Sequence, residues 1–153
     1  MDGHDIAAGV GETFLLLTQT EAGWTHVAML SVGEVVATSE SEIRLALWPR
    51  SNTTANLSRT ATATLMIVHD GASYYLRLRA DRRPNLSIDG GSRSFFVARI
   101  EVVLEDAVGY ATMTSGPKFR LNDPEKVLES WRQTVEAMKR DGLPELRPGN
   151  TSP

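Results

Sequence analysis

Two stretches alternate with a period of two residues, and they restrict the chain to a fold built mainly from antiparallel strands. In Ser73–Ala80, Tyr74, Leu76, Leu78 and Ala80 fall on one face, and Tyr75, Arg77 and Arg79 on the other. In Phe95–Asp106, Phe96, Ala98, Ile100, Val102 and Leu104 alternate with Arg99, Glu101 and Glu105. Side chains of a strand point to opposite faces in turn, so each stretch reads as a strand with one buried face. Glu12–Thr20, Trp24–Val32, Ile43–Leu47 and Thr60–His69 add four more β-rich runs. Val35–Thr38 reads as a short strand or an extended loop. Arg82–Asn85 and Asp89–Gly91 bracket a turn region.

Only two helices interrupt this order. Thr53–Arg59 fits one or two turns, with Ser51 or Asn52 as its cap. After the loop Thr112–Leu121, Asn122 or Asp123 caps a longer helix. Its stripe is Val127, Leu128, Trp131, Val135 and Met138. Gly142 and Pro144 stop it. Alternating βαβ units are absent. The expected class is therefore mainly β (α+β): a six-stranded antiparallel barrel with a short inserted helix and a C-terminal helix. It is read as one domain over residues 1–153, with residues 1–11 and 143–153 loose.

The densest polar group lies between two of the strands. Arg50, Ser51, Asn52, Thr53 and Thr54 are consecutive, with Asn56 just beyond, at the start of the short helix. A helix start has free backbone N–H groups, and a cation with short hydroxyls beside them suits a phosphate. The same residues also suit an ordinary N-cap with solvated neighbours.

Composition removes several classes. The 153 residues contain no cysteine, which excludes disulfides, thiolate metal sites and cysteine nucleophiles. His4, His26 and His69 lack metal-ligand spacing. The net charge of −3 gives no general attraction to nucleic acid or an anionic membrane, so neither is expected as a partner. No run reaches the roughly 18 apolar residues of a membrane helix. The first residues are acidic and carry no apolar run, which predicts a cytoplasmic protein without a secretory signal. Gly9-Val10-Gly11 follows no strand and opens no helix, so it is not read as a nucleotide loop.

From Phe14 to Asp106 the order of elements resembles a known family. A hairpin leads to a strand ending in an aromatic (Trp48), then to a serine-containing turn (Ser51). A short helix with Asn56-Leu57 and another strand follow. This resembles the FMN-binding split β-barrels whose best-known members are pyridoxamine 5′-phosphate oxidases. In that family a lysine commonly stands at the position of Thr53, and arginine at that of His26. Arg50 is close enough to supply the missing charge.

The resemblance implies an FMN-dependent oxidoreductase acting on a small molecule. It implies a homodimer with cofactor sites at the subunit interface. The cofactor residues it implies are His26, Met29, Leu30, Ser31, Val32, Trp48, Arg50, Ser51, Asn52, Thr53, Thr54 and Asn56. The chain lacks the C-terminal strand with Trp and Arg that binds pyridoxamine phosphate, so that compound is not the expected substrate. The alternatives are a deazaflavin (F420) reductase, a flavin- or haem-binding sensor, and a barrel that has lost its cofactor.

Overall fold

The computed structural model describes residues 5–141. His4, the helix stop at Gly142 and Pro144, and the tail from Leu143 lie outside them. The elements in chain order are β1 (Phe14–Gln19), β2 (Thr25–Leu30), β3 (Val35–Ala37), β4 (Glu42–Leu47) and α1 (Asn52–Thr60). Then come β5 (Thr62–His69), β6 (Ala72–Ile88), β7 (Gly91–Asp106) and α2 (Pro124–Arg140).

Seven strands form one antiparallel sheet in the order β2-β1-β5-β6-β7-β4-β3. The sheet is that of a split β-barrel, with β2 and β3 as its outer strands. The expected class holds, but the strand count of six is corrected to seven. The added strand is β3, which pairs with β4 through Val35 opposite Leu45 and Ala37 opposite Ile43. Val35 and Val36 are both buried, one on each face. A strand buried on both sides shows no apolar–polar alternation, so its pattern resembles that of a loop edge.

A second correction concerns Arg82–Asn85. These residues continue β6 rather than turning the chain, and the reversal occurs at Asp89-Gly90. Pro84 sits where the β6–β7 register slips, between Arg83 and Leu86. Proline cannot donate to a ladder, and an irregularity is where a strand tolerates it. Arg82 is likewise no free surface charge. It lies 5.1 Å over the Phe96 ring and donates to Ser58, Asn85 and Ser94.

The sheet has a core on each side. Inside the barrel Leu16, Leu45, Leu65, Leu78 and Phe96 are fully enclosed. On the outer side Val36, Ala46 and Phe95 meet Val135 and Met138 of α2. Ile6 also joins this second core, so the N-terminal segment is anchored at that residue.

Two further features hold α2. Arg44 on β4 donates to the carbonyls of Met138, at 2.6 Å, and Asp141, near the helix C-terminus where carbonyls lack intrahelical partners. Near the middle of the helix, Trp131 lies against Gly33. A Cβ at position 33 would fall 2.1 Å from the indole Cγ.

Candidate functional site

Two neighbouring regions carry the polar chemistry. The first is the start of α1. Ser51 caps the helix by accepting from the Thr54 amide at 3.1 Å. The Ser51 hydroxyl donates to Thr54 Oγ1, and Thr54 Oγ1 donates to the Trp48 carbonyl. Both hydroxyl protons are therefore used within the turn. Asn56 is also engaged: its amide donates to Thr18 Oγ1 at 3.1 Å, and its oxygen accepts from Arg59.

The free donors are others. The amides of Asn52 and Thr53 precede the first intrahelical bond, so the helix itself leaves them unpaired. Arg50 and the Asn52 side chain are exposed. Thr53 is buried and pairs with His26 Nε2 on β2 at 3.2 Å. This set, a guanidinium with two helix-start amides and a His–Thr pair, is chemically suited to a phosphate monoester.

The His26–Thr53 pair sets α1 beside β2. Among the described residues β2 pairs only with β1, and its other edge has no strand partner there for its backbone N–H and C=O groups. That edge leads toward the second region. About 13 Å of strand separates His26 from Leu30.

The second region is a cleft of about 710 Å³ between α2 and the sheet. Met29, Leu30, Ser31 and Trp48 line it. Trp48 is 59% exposed and closes no core. Val32 points elsewhere: it borders a separate cavity of about 420 Å³ with Asp5 and His69. The structure thus brings Met29, Leu30, Ser31 and Trp48 to one cleft and His26 to the adjoining helix start, and leaves Val32 outside both.

Four charged residues also line the cleft: Glu34, Arg93 and Lys126, which the sequence does not mark, and Lys118, which reads there as a solubility feature of the loop. They come from four separated segments, so no local motif marks them. The Arg93 guanidinium lies 3.7 Å from the centroid of the Trp48 ring, in stacking range. Glu34 accepts from the Ser31 amide at 2.7 Å and from the Ser31 hydroxyl at 2.8 Å, both on Oε2. Burial holds the Glu34 carboxyl above the usual carboxylate range, opposed by the two Ser31 hydrogen bonds and the charge of Arg93.

The raised Glu34 value has a consequence for stability. Between the unfolded and folded values the native chain binds more protons than the unfolded one, so stability falls as pH rises through the folded value. Glu34→Gln keeps an acceptor oxygen for Ser31 but does not ionise. Its melting temperature is expected to exceed that of the wild type at neutral pH and to converge with it below about pH 4. Thermal melts across pH check this; a difference that stays constant with pH contradicts it.

No family model matches the chain. It is 41% identical over 140 residues to the uncharacterized protein YclD of Bacillus subtilis (strain 168), covering 92% of this chain and 91% of YclD. Among solved structures it is similar to HupZ of Group A Streptococcus, with TM-score 0.55 and 10% identity over 71% of this chain and 94% of that one. A “putative pyridoxamine 5′-phosphate oxidase” of Lactobacillus delbrueckii gives TM-score 0.52 and 13% identity, covering 61% of this chain and 84% of that one. A “putative flavin reductase with split barrel domain” of Shewanella frigidimarina gives TM-score 0.50 and 14% identity, over 72% and 73% of the two chains. At these identities the solved structures share a fold with this chain. It follows that the chain belongs to one family with B. subtilis YclD and has the fold of the split β-barrels.

Proposed function

We propose that the protein is an FMN-binding oxidoreductase acting on a small molecule. The observation that carries the reading is the His26–Thr53 pair. It sets a helix start with free donors beside an unpaired strand edge, and that edge leads into an apolar cleft. Arg50, the Asn52 and Thr53 amides and the His26–Thr53 pair would hold the phosphate, with Arg50 in place of the family lysine. The backbone of Met29–Ser31 would meet the hydrogen-bonding edge of the ring, and Trp48 would border it. Ser51, Thr54 and Asn56 shape the turn through their internal hydrogen bonds. When bound, the flavin supplies the electron or hydride step, while the protein binds and orients it. The similarity to structures described as an oxidase and a flavin reductase supports the reading.

A homodimer is part of the proposal. Val102, Val103 and Leu104 on β7, and Val27 and Met29 on β2, are all at least 40% exposed. Exposed apolar groups of this kind mark association surfaces. Gel filtration with light scattering is expected to give twice the 16.8 kDa chain mass; a monomer overturns this part. A cytoplasmic location belongs to the same proposal. Among the described residues no helix is long and apolar enough to cross a membrane.

The cofactor test is the visible spectrum of the purified protein and of the protein after addition of FMN. Flavin absorption that stays with the protein supports the reading. A Soret band would point to haem, and selective retention of F420 to a deazaflavin enzyme. A chain that stays colourless and ignores FMN would be a barrel without cofactor. Arg50→Ala is expected to weaken FMN binding by about 10- to 100-fold, the worth of a charge-assisted hydrogen bond. Ser51→Ala should instead cost about 1 kcal/mol of stability through the lost cap. Unchanged FMN affinity in Arg50→Ala would remove the phosphate assignment.

A further inference from the structure

The cleft beside the ring-edge strand has a charge that the proposed cofactor site leaves unused. Three cations line it, Arg93, Lys118 and Lys126, against one carboxylate, Glu34. Lys118 is partly neutralised by Glu12 at 3.3 Å, with both groups exposed. Arg93 is different. One face of its guanidinium rests on Trp48, and one of its five N–H groups is spent on the Ser92 carbonyl at 3.0 Å. Stacking fixes the plane of the fork, and the remaining donors suit a planar acceptor with two oxygens.

Another part of the lining is aromatic and apolar. Phe119 and Trp131 meet edge to face, 6.2 Å between centroids, and both line the cleft with Val127. At about 710 Å³ the cleft has the size of a complete ligand pocket, with room for a small ring beside a larger one. The Oε2 of Glu34 is committed to the amide and hydroxyl of Ser31, so that oxygen is turned to the protein rather than to an incoming ligand.

We propose that this cleft selects an aromatic carboxylate, its acid group paired with Arg93 over Trp48 and its ring against the Phe119–Trp131 wall. The role of that compound as substrate rests on the flavin reading; its binding does not.

Benzoate and its neutral isostere benzamide are suitable probes. Each is titrated calorimetrically into the full chain, first as purified and then with FMN added, and FMN retention is measured by absorbance on the same samples. Benzoate is expected to bind about tenfold or more tightly than benzamide, and Arg93→Gln to abolish the difference. Equal affinities, no binding of either probe, or a preference that survives in Arg93→Gln would overturn the proposal. The benzoate–benzamide comparison on the wild type decides the matter even where Arg93→Gln fails to fold. A chain that prefers benzoate but ignores FMN defeats the cofactor reading alone. A chain that retains FMN but shows no preference defeats this proposal alone.

Discussion

Phe96→Ala is expected to destabilise the protein by about 3–5 kcal/mol. Phe96 is 0% exposed and sits among Leu45, Leu65 and Leu78 inside the barrel. Removing its ring leaves a void that strands on both sides cannot fill without bending, so the loss includes a cavity cost beyond the transfer of the ring from water. For a chain of this length the melting temperature should drop by about 6–20 °C. Phe95→Ala carries a similar cost with a different distribution. Phe95 is equally buried but faces Val135 and Met138 of α2. Hydrogen exchange separates the two: Phe95→Ala should speed exchange across α2 while β1 and β5 stay protected, whereas Phe96→Ala should loosen the strands. The same exchange pattern in both variants would mean that the two faces of the sheet do not form distinct cores.

Gly33→Ala is expected to cost about 3 kcal/mol, the upper end of ordinary overpacking. The methyl group would lie 2.1, 2.4 and 2.6 Å from Cγ, Cδ1 and Cδ2 of Trp131. These atoms are the root of the indole, Cγ bonded to Cβ and the two Cδ atoms bonded to Cγ, so the ring cannot swing aside as the end of a flexible side chain would. Relief requires α2 to move away from the sheet, and the cleft shared by Gly33, Glu34 and Trp131 would widen with it. The decisive control is the same change in a Trp131→Ala background, where the clash partner is gone. There Gly33→Ala should cost less than about 1 kcal/mol, and the difference is the coupling energy of the pair. An equal cost in both backgrounds would place the strain elsewhere.

The legible parts of the fold were those with a one-sided environment. β6 shows clean alternation over Leu76–Ala80 because one face is wet there, and α2 shows an apolar stripe because only one side of it packs; in β7 the expected buried face holds at Phe96 and Ala98 but not at Val102 and Leu104, which are exposed. The inserted helix was expected at residues 53–59 and occurs at Asn52–Thr60, since Ser51 is a strong cap. β3 was ambiguous because both of its faces are buried. The passage through Pro84 read as a turn because a register slip inside a strand has the same local composition as one. The site was legible only where it is local in sequence. The turn at Arg50–Thr54 stood out by composition, yet its internal hydrogen bonds could not be read, and they decide which hydroxyls remain to donate. Arg93 and Glu34 lie 59 residues apart. Each looks like an ordinary surface charge until the sheet order brings β7 and the turn before β3 to the same cleft. The nearest sequence signal was Glu34 beside Gly33, a charge next to a glycine at a break between two apolar runs.

The sheet order also sets a schedule for synthesis of the chain. β4 ends at Leu47, but its partner β7 begins only at Gly91, 44 residues later. At typical ribosomal rates that interval is about 2–9 s. During it the β1–β2 and β3–β4 hairpins can form, and β5 can join β1 once His69 is made, while β4 still awaits β7. Leu45 and Leu47, fully enclosed in the finished barrel, then have no cover from β7. The nascent chain therefore exposes apolar strand surface until the β6–β7 ribbon docks. Mutations that slow docking of the β6–β7 ribbon should reduce the yield of folded protein more than their effect on equilibrium stability implies.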